Sequence, residues 1–168
     1  MIIKIMYEQC IQHIKDHVML NFEKDLIIDP NADGKNVEFM ESIMSLSKMV
    51  LFYNKNPDGT DDTIMPMDFT QVNFDKFNRT MLSGLWYDAV HIVSQPPPGE
   101  ANQYIKAACK FAESVSFILP KDAHYAFPLS YQCLFSTDLP GHKQEQEHKQ
   151  EQEHKPDMIF QIWMKADY

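Results

Sequence analysis

The residues whose types and spacing could do chemistry fall in two short loops. One is Gln95-Pro96-Pro97-Pro98-Gly99, which closes the apolar run 87–94 (YDAVHIVS). The other is DPNADGKN, residues 29–36, which follows the apolar run 26–28 (LII). Both runs carry β-branched residues and read as buried strands. Three prolines and a glycine can continue neither a strand nor a helix, so the first loop is a rigid stop. In open α/β sheets ligands sit at the carboxyl ends of strands, which makes Gln95–Gly99 a candidate site. The same pattern also serves merely to end a core strand. The second loop is turn chemistry, with Asp29, Asn31, Asp33 and Gly34 close together. A helical pattern restarts at Val37, so helix-terminal backbone amides would lie beside whatever this loop binds. One glycine is fewer than the two or three of a nucleotide-binding loop, where the backbone must approach the ligand closely.

The elements that must position these loops alternate. Tyr7, Cys10, Ile11, Ile14 and Val18 give residues 5–22 one buried helical stripe. After 26–28 and the 37–47 helix, residues 49–53 (MVLFY) form a strand ending in a polar turn that contains Asn54 and Asn56. Residues 64–69 are a short strand with Asp68 near its end; Val72, Phe74, Phe77 and Leu82 belong to no element that periodicity defines. Behind the proline loop, Ile105, Ala108, Cys109, Ala112 and Val115 define a 16-residue helical pattern, followed by a strand at 116–120 (SFILP). That is a βαβ unit. Residues 121–133 read as loop or short helix, and 134–140 and 158–165 as strands. Between those last two lies a low-complexity insert, 141–155, in which HKQEQE occurs twice; it has no apolar residue to bury and is expected to be a flexible loop.

At 168 residues the chain is expected to form one domain, 1–168, with a real core. No apolar run reaches membrane-span length and the N-terminus lacks the shape of a signal peptide, so no membrane role is expected. Cys10, Cys109 and Cys133 have no metal or redox spacing, which points to a reducing, intracellular setting, cytoplasmic or nuclear. His13 and His17 are four apart, but no third ligand is near, and both are read as solvated; no metal site is expected. The formal charge is −9 and Arg79 is the sole arginine. Arginine is preferred for bidentate contacts to phosphate and guanine, so tight autonomous duplex binding is disfavoured. A nucleic-acid role would need a lysine patch or a partner subunit, hence a hetero-oligomer.

Taken in order, LIIDPNADGKNV, VLFYNKNP, MDF, YDAVHIVSQPPPG, FILP and FQIW resemble the adenine-type, S-adenosylmethionine-dependent methyltransferases, in particular the compact family of large DNA viruses and microbes. The family counterparts are IIEPSAGxGSF, a strand ending in an acidic residue, a DF segment, a YDxVxx strand running into NPPFG, then FILP and FQIW. The resemblance spans about residues 7–165. It implies a Rossmann-like class I methyltransferase fold, with a seven-stranded, mostly parallel sheet, flanking helices and a C-terminal antiparallel hairpin. It implies that S-adenosylmethionine would lie along Asp29, Asn31, Asp33, Gly34, Asn54 and Asp68. A target base would be flipped against Gln95, Pro96, Pro97 and Pro98. Such a loop works by accepting hydrogen bonds from the exocyclic amine and orienting its lone pair toward the methyl group.

The departures from the family pattern fall on those residues. Gln95 replaces asparagine and carries its amide about one methylene further out. Pro98 replaces the aromatic ring that would stack on the base, a contact worth roughly 1–3 kcal/mol. Asp33 and Lys35 stand where the family has glycines, and Asn54 or Asn56 where it has the ribose-binding acid. Asp68 alone matches well. The expectation is a methyltransferase-like protein of the adenine-amine type with impaired or lost catalysis. The alternative is an active enzyme that uses QPPP in place of NPPF on an adenine amine of DNA or RNA.

Overall fold

The computed structural model describes residues 2–73, 75, 86–139 and 157–166. The insert 141–155 and Phe74, Phe77, Arg79 and Leu82 lie outside them. The helices described in full are α1 (Ile2–His17), α2 (Val37–Met44) and α3 (Ala101–Ala108). The strands are β1 (Leu26–Asp29), β2 (Met49–Asn54), β3 (Ile64–Pro66), β4 (Val90–Ser94), β5 (Ser114–Pro120), β6 (Tyr131–Leu139) and β7 (Met158–Lys165). A single 3-10 turn, Phe69–Gln71, follows β3.

The strands form one seven-stranded sheet in the order β3-β2-β1-β4-β5-β7-β6. β1 to β5 pair in parallel, whereas β7 runs antiparallel between β5 and β6. Every residue of β1 and β4 is buried, which is why these strands read as continuous apolar runs and not as alternating ones. One face packs Ile27, Val93, Ile118, Phe160 and Ile162 against the stripe of α1 and against Phe39, Met40 and Ile43 of α2. The other packs Leu26, Ile28, Ile92, Val115 and Phe117 against α3, Phe69 and partly buried Tyr125 and Phe127. Phe127 stacks on Trp163 of β7, with ring centroids 4.0 Å apart. That stretch, 121–130, is neither short helix nor strand.

Two boundaries differ from the sequence expectation for physical reasons. α3 holds only the first half of the 16-residue pattern; Ala112 and Val115 face the core from a turn and from β5, so they continue the spacing without continuing the helix. α1 stops at His17 because Asn21 organises a turn, its side-chain oxygen accepting from the Glu23 and Lys24 amides. His13 and His17 are not simply solvated: both rings lie against Phe135 of β6, at 4.2 and 4.5 Å between centroids.

The amino ends of three adjacent strands are tied by a buried polar chain. His91 on β4 contacts the Asp25 carboxylate just before β1 through Nε2 (3.1 Å) and the Ser114 hydroxyl at the start of β5 through Nδ1 (2.7 Å). All three residues are buried. An ionised Asp25 can only accept, so Nε2 carries the proton and Nδ1 accepts from Ser114. Asp25 also accepts from the Asn21 amide (3.0 Å).

Candidate functional site

Sheet order reverses between β1 and β4: β2 and β3 lie outward of β1, β5 outward of β4. The loops behind β1 and β4 therefore part on opposite sides and leave a crevice, the usual ligand position in such a sheet. Both loops picked out by the sequence emerge there.

Asp29 is the last residue of β1 and is 1% exposed. Its Oδ1 accepts from the Ser94 hydroxyl (2.8 Å) and the Asn31 amide (3.0 Å). Burial pushes its carboxyl up to about 7, and those two hydrogen bonds offset only part of the desolvation. Asn31 Nδ2 donates to the Gln95 carbonyl (2.8 Å), stapling the two loops across the crevice. Asn54 at the end of β2 donates to the Ala32 carbonyl (2.8 Å) and, at 3.4 Å, to Asn31 Oδ1. Asn36 caps α2, its Oδ1 accepting from the Phe39 amide (3.3 Å) while its Nδ2 donates to the Tyr7 hydroxyl (2.9 Å).

A cleft of about 220 Å³ opens between the loops, lined by Asp29, Asn31, Asp33, Gln95 and Pro96–Pro98, with Asn36, Phe39 and Met40 from the start of α2. The structure thus gathers seven of the ten expected site residues around one space. Asn54 joins them only through Asn31. Gly34 and Asp68 are not among the residues that line the cleft. A Cβ on Gly34 would collide with Thr60 Oγ1 and lie 3.1 Å from Asp61 Cβ, so its missing side chain makes room for the β2–β3 loop. Asp68 turns inward on its own chain, accepting from the Thr70 amide (3.1 Å) and hydroxyl (2.6 Å). Sequence reasoning missed Phe39, Met40, whose apolar spacing marked it only as part of a helix, and Ser94, read as the tail of an apolar strand.

On the β2 side of the crevice, polar side chains are engaged with neighbouring residues. Lys55 reaches from the end of β2 to Glu100 at the start of α3, 3.2 Å away, bridging the strand ends. Lys35 lies 3.9 Å from Asp58. With Asn54 in place of an acid, its amide committed to Ala32, and Gly34 spent on Thr60, these residues do not fit the ribose and backbone approach of an adenosyl cofactor. The cleft that persists is also below the roughly 300 Å³ at which small-molecule pockets begin. Among the described residues no cluster of metal-ligating side chains occurs, and no helix is long and apolar enough to cross a membrane.

Strand order, parallel core and antiparallel C-terminal hairpin together are the Rossmann-like class I methyltransferase fold. Among solved structures, the chain is similar to a Thermoplasma acidophilum protein (12% identity, TM-score 0.62, 98% of each chain covered). It is also similar to a proposed methylase from Haemophilus influenzae (11% identity, TM-score 0.54, 96% of this chain and 99% of that one). A third likeness is to the 23S rRNA methyltransferase ErmE (9% identity, TM-score 0.54, 94% of this chain and 68% of that one). At these identities the likeness is one of fold. No family model and no curated protein sequence matches.

Proposed function

We propose that this chain is a methyltransferase-fold protein of the adenine-amine type that has given up cofactor-dependent catalysis and acts as a non-catalytic subunit beside a nucleic-acid-binding partner. The observation that carries the reading is the set of local contacts on the β2 side of the crevice: Asn54 on Ala32, Gly34 against Thr60, and Lys55 on Glu100. These contacts satisfy locally the groups that an adenosyl moiety would otherwise engage. Loss of the stacking ring at Pro98 removes a further grip on a flipped base. The net charge of −9 and the lone arginine support delegating nucleic-acid contact to a partner.

The test is methyl transfer from labelled S-adenosylmethionine to adenine-containing DNA and RNA, with the unmodified chain and with Gln95→Asn/Pro98→Phe. The expected result is no transfer by either protein. Transfer by the unmodified chain would overturn the reading in favour of an active enzyme that uses QPPP. One observation points that way: the Gln95 side chain lines the cleft with no hydrogen bond to the described residues.

A further inference from the structure

The two edges of the sheet are built differently. β3 is three residues long and ends in Pro66, which has no N–H to offer a further strand. β6 is nine residues long and contains neither proline nor lysine, the residues that ordinarily blunt an edge. Its backbone pairs with β7 on one side; among the described residues, positions 132–139 make no backbone–backbone hydrogen bond on the other. The strand's one charge, Asp138, is already answered by Lys121 at 2.6 Å. A bulge between Cys133 and Phe135 bends the first part of the strand, so its regular part is Phe135–Leu139. Phe135, Thr137 and Leu139 share the α1 face, across from Ile162, Phe160 and Met158. Ser136 and Asp138 point to the other face and are exposed.

We propose that β6 is a dimerisation edge: Phe135–Leu139 pairs antiparallel with the same segment of a second copy, across a two-fold axis at Thr137, and joins two sheets into one. In that register the strand is complementary to itself. Phe135 lies opposite Leu139 of the second copy, Thr137 opposite Thr137, and Ser136 opposite Asp138. Ser136 Oγ accepts from Gln161 Nε2 (3.3 Å), which leaves its own proton for the facing carboxylate. The ladder alternates, so a two-fold axis must fall on a residue. An axis at Asp138 would set two carboxylates face to face, and one at Ser136 would draw Leu134 of the bulge opposite Asp138. The contact is isologous and closes on itself, and the edge left at each end of the joined sheet is the blunted β3, so assembly stops at two. So short a ladder buries less than the roughly 800 Å² per partner of a standard interface, which makes the dimer a weak, concentration-dependent one. The inference is independent of whether the cleft takes a cofactor.

The test is sedimentation equilibrium of the full chain under reducing conditions, from about 5 μM to about 500 μM, where reversible monomer–dimer exchange is expected. Ser136 is exposed, so substitutions there should keep the fold, with the urea midpoint as the check. Ser136→Asp sets like charges opposite one another twice per dimer and should weaken association about fivefold or more; Ser136→Lys sets opposite charges there and should tighten it several-fold. The register is read by oxidation in a Cys133→Ser background. Thr137→Cys should form an interchain disulfide, because facing Cα atoms lie about 4.5–5.5 Å apart, whereas Ser136→Cys is displaced from its own copy by two residues and should not. A chain that stays monomeric at the highest concentration would overturn the proposal. So would a dimer whose constant is the same in both charge variants, which would place the contact on another surface. A Ser136→Cys crosslink without a Thr137→Cys one would also overturn it. Capture of an unrelated strand-forming peptide by a chain that remains monomeric would give the edge to a different partner and overturn the second copy as its occupant.

Discussion

Two aspartates bracket β1, four residues and about 13 Å apart, and they are treated in opposite ways. At the amino end, Asp25 is buried with a histidine at 3.1 Å and a backbone amide at 3.0 Å, in a chain that continues to Ser114. At the carboxyl end, Asp29 is buried as deeply but has only a hydroxyl and an amide, both on one oxygen. The first arrangement resembles a structural clamp: its groups answer one another and tie β1, β4 and β5 together. The second is hydrogen-bonded through one oxygen and lies beside a cleft. Buried polar groups that answer one another rigidify and specify a fold, whereas a buried carboxylate offset only by two neutral donors carries an uncompensated desolvation cost.

The largest expected effect breaks the clamp. His91→Ala leaves the buried Asp25 carboxylate without its imidazole N–H donor and should cost about 3 kcal/mol, read as a lower urea midpoint with an unchanged slope. Burial lowers the His91 pKa below its ordinary value, despite Asp25. The unfolded chain therefore takes up the proton first, and the clamp's stability is present above about pH 6.5 and lost as pH falls. His91→Gln should flatten that limb of the stability profile.

Asp29→Asn tests the other end with the opposite sign. The folded carboxyl titrates near 7 and the unfolded one near its ordinary value, so the native state pays progressively as pH rises from about 4 to 7. The amide keeps the Ser94 contact without the charge. The variant should be more stable than the parent by roughly 1–3 kcal/mol at pH 8 and equal to it at pH 4, measured by denaturation at both values. A destabilised variant at pH 8 would mean that Asp29 is as well compensated as Asp25.

Smaller effects sharpen the contrast. Asn31→Ala removes the donor that staples the two loops at the Gln95 carbonyl and should cost about 1 kcal/mol. Gln95→Ala, whose side chain makes no hydrogen bond with the described residues, should move stability by less than about 0.5 kcal/mol. A larger loss there would make Gln95 a structural residue.

The carboxyl end was far more legible in the sequence than the amino end. Asp29 and Gln95 each follow a run of β-branched residues and precede turn formers, so the chain itself marks them as strand ends. Asp25, His91 and Ser114 are separated by more than twenty residues at each step, and each is embedded among ordinary core neighbours. Only the parallel register that sets His91 beside Ser114 and Leu26 beside Val90 brings them together. Gly34 shows the same limit: the neighbour against its bare Cα is Thr60, in a loop twenty-six residues on, a proximity that motif position does not reveal. Asp68 matched its motif in type, yet short-range geometry lets Thr70 take its carboxylate.

The most direct test is calorimetric titration of the unmodified chain with S-adenosylmethionine. The proposed loss of the cofactor site predicts no binding tighter than about 100 μM, roughly −5.5 kcal/mol. Saturable one-to-one binding in the low micromolar range would contradict it, because the ties from Asn54, Lys55 and Gly34 would then have to yield at little cost.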